Sequence, residues 1–65
     1  MQEELRLRVL KIKKELGMTY VFISDNSEEY YEKAYFCRWR QGNQLCLLNL
    51  SQCNALDKFL LSKGY

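Results

Sequence analysis

The sequence predicts an all-α domain of four to five helices, with an α+β fold carrying a β-hairpin over 34–50 as the alternative. Three observations point that way. Apolar residues recur at helical spacing near both ends of the chain, a glycine follows each of these stretches, and no proline interrupts any of it. The two folds differ only in the middle of the chain.

Leu5, Val9, Ile12 and Leu16 fall at i, i+4, i+7 and i+11, one stripe of an α-helix, with Arg8, Lys11 and Glu15 off it. Gly17 follows and suits the left-handed position that ends a helix, so 2–16 is predicted helical. In 18-MTYVFISDNS-27, Tyr20, Val21, Phe22 and Ile23 favour a strand. Thr19, however, can N-cap a short helix that turns Phe22 and Ile23 inward. Ser27, with Glu28 and Glu29 behind it, offers another helix start. A helix from about 29 to 41 would put Phe36 and Trp39 on one face before Gly42 and Asn43 end it. A strand would instead align Tyr35, Cys37 and Trp39, and Gly42-Asn43 would be a type II′ turn into 45-LCLLNL-50. Local chemistry is compatible with both. Helical spacing then returns, with Leu50, Cys53, Leu56 and Leu60 inward and Phe59 alongside. That helix starts at Leu47, or at Leu50 with Ser51 as a cap, and Lys63 and Gly64 suit its end.

Sixty-five residues make one domain, 1–65, with 48% apolar residues to build its core. No apolar run nears the roughly 20 residues that cross a bilayer, and the amphipathic N-terminus lacks the features of a signal peptide. A soluble, cytoplasmic protein is expected, with no membrane partner. Three widely spaced cysteines and no histidine predict neither a metal site nor a disulfide framework, but small reduced thiols. Without histidine, a Gly-rich phosphate loop or a carboxylate pair, no catalytic residue, cofactor or small-molecule substrate is expected. The net charge of +2 is unevenly spread. Residues 3–16 carry five basic and three acidic groups, 25-DNSEEYYEK-33 carries four acids and one lysine, and the rest of the chain is again mostly basic.

The order of these signals resembles the compact helix-turn-helix domains of the Xre and phage-repressor (Cro-type) family. The first helix is 5-LRLRVLKIKKELG-17, the second opens at 18-MTYVFIS-24, the third ends in 36-FCRWRQG-42, and 56-LDKFLLSKGY-65 is similar to the close of small members. The resemblance implies a transcriptional regulator of repressor type that binds double-stranded DNA, with a recognition helix at about 29–41 in the major groove. Carried onto this sequence, it implies base contacts from Lys33, Ala34 and Arg38, beside Glu32 and Tyr35. Arg38 has the planar fork that matches guanine. It implies backbone contacts from Tyr20, Tyr35, Arg40 and Asn43. Each has an ordinary reading too: a solvated face for the arginines, capping and turn chemistry for Tyr20 and Asn43. Phe36 and Trp39 are expected to pack inward, and Tyr30, Tyr31 and Tyr35 cannot all be buried. A single recognition helix makes few base contacts, so a weak homodimer is expected through Leu60, Leu61 and Tyr65 of the C-terminal helix. The alternative function is a small protein-interaction module of mobile-element origin that binds no DNA. The acids of 25–32 would lower DNA affinity, and three readings fit them: they face away from the groove, they reject non-specific DNA, or they mark a protein as the partner.

Overall fold

Four helices and no strand make up the computed structural model, which describes residues 1–65. The all-α expectation holds with four helices, and the hairpin at 34–50 does not form. Helix α1 spans Gln2–Leu16, α2 Tyr20–Asn26, α3 Lys33–Arg40 and α4 Leu50–Ser62. α1 packs against α4, and α2 against α3, in a body of 28 × 20 × 20 Å.

α1 buries Leu5, Val9 and Ile12 as its stripe requires, but Leu16, in the last turn, is exposed. Gly17 (φ 70°) ends the helix, its N–H donating to the Lys13 carbonyl at 2.9 Å. The Thr19 hydroxyl caps α2 by accepting from the Phe22 N–H at 3.1 Å. Ile23 and Ser24 face the core; Phe22, one residue and about 100° away, is exposed.

The third helix is shorter than the 29–41 expected. Ser27 closes α2 instead of opening α3: its N–H and its hydroxyl both donate to the Ile23 carbonyl, at 3.2 and 2.8 Å. Glu28 is drawn to Lys58 of α4 (2.9 Å), and Glu29 accepts from the Ser51 hydroxyl. Tyr31 turns into the core, so the chain over 27–32 is anchored to α4 and helix starts only at Lys33. Glu32 is the N-cap, accepting from the Ala34 and Tyr35 N–H groups at 3.1 and 2.8 Å.

Gly42 (φ 89°) ends α3 in a Schellman turn. Its N–H donates to Trp39 and the Asn43 N–H to Arg38, both at the carbonyl, at 3.0 and 3.2 Å. No side chain but glycine takes that φ cheaply. Beyond it, 43–49 is irregular but alternates like a strand: Cys46 and Leu48 are buried, Leu45 and Leu47 exposed. α4 then opens on Asn49, not Ser51. Asn49 and Gln52 form a reciprocal capping box, and Leu50, as first helical residue, points out to solvent.

The core joins Leu5, Val9 and Ile12 of α1 to Ile23, Phe36, Trp39, Cys53, Leu56 and Leu60. Phe36 and Trp39 lie with ring centroids 5.4 Å apart, buried as their spacing predicts. One side chain ties the layers together. The Gln2 amide accepts from Trp39 Nε1 at 2.7 Å and from the Leu48 N–H at 3.3 Å, and donates to the Leu48 carbonyl at 3.0 Å. The guanidinium of Arg6, also buried, donates to the Trp39 carbonyl at 2.6 Å, pairs with Glu3 and lies over the indole. No helix is long and apolar enough to cross a membrane.

Candidate nucleic-acid interface

With Phe36 and Trp39 inward, the 100° step per residue fixes what α3 offers to solvent. Ala34 and Gln41 stand opposite the core, beside half-buried Cys37. Arg38 flanks them on one side, Lys33 and Arg40 on the other. No acid occurs from Lys33 through Gln41.

The residues singled out in the sequence fall into three settings. Ala34 and Arg38 lie one turn apart and exposed, and the Arg38 side chain makes no hydrogen bond or ion pair, although its charge helps to hold the Glu32 carboxyl ionised. Lys33, the first residue of α3, is exposed and paired with Asp25 at 3.4 Å. Tyr20 and Arg40 belong together: the Arg40 guanidinium lies 3.9 Å from the centroid of the Tyr20 ring, with its Nη2 3.5 Å from Cys37 Sγ. Tyr35 and Asn43 stand apart from both. The Tyr35 hydroxyl donates to the Leu47 carbonyl at 2.6 Å, on the side of α3 that faces 43–49. Asn43 Oδ1 accepts from the Leu45 N–H at 2.9 Å, which is turn chemistry.

Sequence reasoning missed Lys13. Its ammonium lies 5.6 Å from the Tyr20 ring, opening a mainly apolar groove of about 270 Å³ whose lining includes Lys13, Tyr20, Val21, Lys33, Phe36 and Arg40. Five basic residues in 3–16 announced a cationic helix, but only the fold says which one reaches α2. A wider depression of about 560 Å³ is lined by Asp25, Glu28, Glu29 and Glu32 together with Tyr30 and Tyr31. Its acids are engaged, by Lys33, Lys58, Ser51 and the N–H groups of α3 respectively. The two N–H bonds from Tyr35 and Ala34 also hold the Glu32 carboxyl below its ordinary range. Glu28 and Glu29 reach toward α4, away from the solvent side of α3.

No protein-family model, characterised protein or solved structure matches the chain.

The three thiols are free, Cys46 and Cys53 in the core and Cys37 half-buried. No three Cys, Asp or Glu side chains converge as metal ligands would. Burial pushes the Tyr31 phenol up to about 12, and its hydroxyl donates to the Gln52 carbonyl at 2.7 Å. The Tyr65 phenol is raised as well, chiefly by donating to Glu15.

Proposed function

We propose that the chain is a small helix-turn-helix domain that binds double-stranded DNA in a sequence-specific way, in the cytoplasm, as a transcriptional regulator of repressor type. The observation that carries this reading is the charge pattern around α3. Small or uncharged side chains (Ala34, Cys37, Gln41) occupy the centre of its solvent side, with Arg38 along one flank and Lys33 and Arg40 along the other. A helix in the major groove has base edges beneath it and a phosphate wall on either side. In this reading Ala34 and the fork of Arg38 meet bases, with Lys33 at the groove edge. Arg40, held on Tyr20 next to Lys13, meets the backbone on its flank, and Asn43 and Tyr35, which stand apart from it, meet the backbone separately. Of the acids of 25–32, which would oppose DNA, Asp25 and Glu28 are paired with lysines and Glu29 reaches toward α4, while Glu32 stays ionised as the N-cap of α3.

Binding to duplex DNA at a series of salt concentrations tests it. Neutralising about three phosphates with Lys13, Lys33 and Arg40 gives a log–log slope of about −3 per monomer. A slope near zero, or no duplex binding at low salt, defeats the reading. The second reading, a protein-interaction module without DNA binding, draws on a different observation: Leu45, Leu47 and Leu50 all stand exposed.

A further inference from the structure

We propose that the cavity between α1 and the end of α3 binds a small organic carboxylate, held by Arg6 and Arg40. Two buried side-chain nitrogens of the chain have no acceptor, Arg6 Nη2 and Arg40 Nε. Both side chains line the same cavity of about 270 Å³, together with Leu7, Leu10, Tyr20 and Gly42. Arg6 is 9% exposed, so its guanidinium has given up its hydration. It has recovered partners for two of its three nitrogens: Nε donates to the Trp39 carbonyl at 2.6 Å and Nη1 to Glu3. Arg40 donates from Nη2 to Cys37 Sγ at 3.5 Å, and sulfur is a weak acceptor. The aromatic rings beside the two guanidinium groups attract them as cations. A ring face is a weak hydrogen-bond acceptor, however, and an unmatched donor on a buried charge is costly. Both nitrogens call for an oxygen.

The lining says which kind. Its charged groups are Arg6, Arg40 and Glu3, two positive against one negative, so one further negative charge balances it. A carboxylate supplies that single charge and has two oxygens, one for each arginine. The last turn of α3 borders the cavity, and open carbonyls there would repel an anion. Those carbonyls are taken: Trp39 accepts from Arg6 and from the Gly42 N–H, and Arg38 accepts from the Asn43 N–H. Leu7 and Leu10, 66% and 40% exposed, form an apolar part of the wall, which suits a hydrocarbon or ring portion of the ligand. Ligand pockets usually run from about 300 to 1,000 Å³. A cavity just below that range takes a body the size of benzoate.

A carboxylate bound there occupies Arg40, the cation that the proposed function assigns to the DNA backbone. Ligand and duplex then compete for one guanidinium, and the ligand lowers DNA affinity. The competition rests on the DNA-binding reading; the carboxylate site does not.

Titration of the full isotope-labelled chain with sodium benzoate at fixed ionic strength, followed by NMR, tests the site. Benzamide, the neutral analogue, and inorganic phosphate are titrated alongside. Benzoate should shift the Arg40 Nε–H and Gly42 amide signals saturably, and benzamide should bind at least about tenfold more weakly. Arg40→Gln should bind benzoate at least about tenfold more weakly than the wild type. Lys63→Gln, which removes an exposed charge outside the cavity, should bind it as the wild type does. Arg40→Lys, which keeps the charge and loses Nε, serves if Arg40→Gln fails to fold, and should bind at least about threefold more weakly. The absence of a saturable shift overturns the proposal. So does equal binding of benzamide, which makes the cavity merely apolar, or equal weakening by Lys63→Gln, which makes the effect one of net charge. Phosphate bound more tightly than benzoate at the same signals overturns the carboxylate assignment. Saturating benzoate should also lower the affinity of the wild type for duplex DNA at least about threefold, and an unchanged affinity overturns the competition. If the chain binds benzoate but no duplex, the DNA reading falls and the site stands. If it binds duplex but no benzoate, the site falls and the DNA reading stands.

Discussion

The two sides of α3 divide eight residues between unlike tasks. Inward, Phe36 and Trp39 are closed off from solvent and packed against one another, and Trp39 is bonded to α1 through Gln2 and Arg6. Outward, Ala34 and Arg38 are exposed, and the Arg38 side chain makes no hydrogen bond or ion pair. Arg38 and Trp39 are neighbours in sequence, yet one faces solvent and the other the core. The lesson is that distance along the chain says little about the consequence of a substitution here. The angle around the helix says most of it.

The largest expected effect lies on the inner side. Trp39→Ala should cost roughly 3–5 kcal/mol, comparable with the whole stability of so small a domain, and leave most of the chain unfolded by circular dichroism. An unchanged melting curve would end the division. Gln2→Ala comes next. It strips the partner from Trp39 Nε1 and from the Leu48 N–H, and should cost about 1–3 kcal/mol in urea denaturation. Below that come the arginines. Arg38→Ala should leave melting unchanged and weaken binding to a selected operator by about 1–3 kcal/mol relative to a scrambled duplex. Arg40→Ala removes the cation from the Tyr20 ring, which should lower stability by roughly 0.5–1 kcal/mol and weaken all sequences alike. Equal losses of specificity from both would merge the outer side and its edge into one surface.

The smallest effect at neutral pH concerns Tyr31, which meets the Phe36 ring edge-on at 5.2 Å. Its phenol is raised from 10.0 to about 12, so it favours folding fully below pH 10 and loses that contribution as pH rises through about 12. Stability measured across that window should fall less steeply for Tyr31→Phe than for the wild type. In a spectrophotometric titration of the wild type, Tyr31 should be among the last phenols to ionise.

Much of this was legible beforehand, for reasons that can be named. The spacing of Leu5, Val9 and Ile12, the Thr19 cap and the inward pair Phe36 and Trp39 are local signals that tertiary structure left alone. The start of α3 was not legible, because Ser27 and Glu32 can both cap. The decision came from Lys58 and Ser51, thirty and twenty-two residues away from the glutamates they hold. Asn49 with Gln52 three residues later is a capping-box spacing, so that boundary was available in the sequence and misread. Among the candidate site residues, the helical angle placed Ala34 and Arg38 outward as expected. The stacking of Arg40 and Lys13 on Tyr20 was beyond reach, because it joins three helices whose relative positions no local pattern specifies.

The Gln2 amide also bears on the order in which the chain acquires its structure. Its partners lie 37 and 46 residues away, and Cys53, a further acceptor, 51 away. Closing loops of that length before anything holds them is costly, so these bonds should form after α3 and α4 have met. An interaction absent from the folding transition state governs the rate of opening and not the rate of closing. Gln2→Ala should therefore unfold faster while refolding at the wild-type rate, which makes this single amide a latch on the lifetime of the native state.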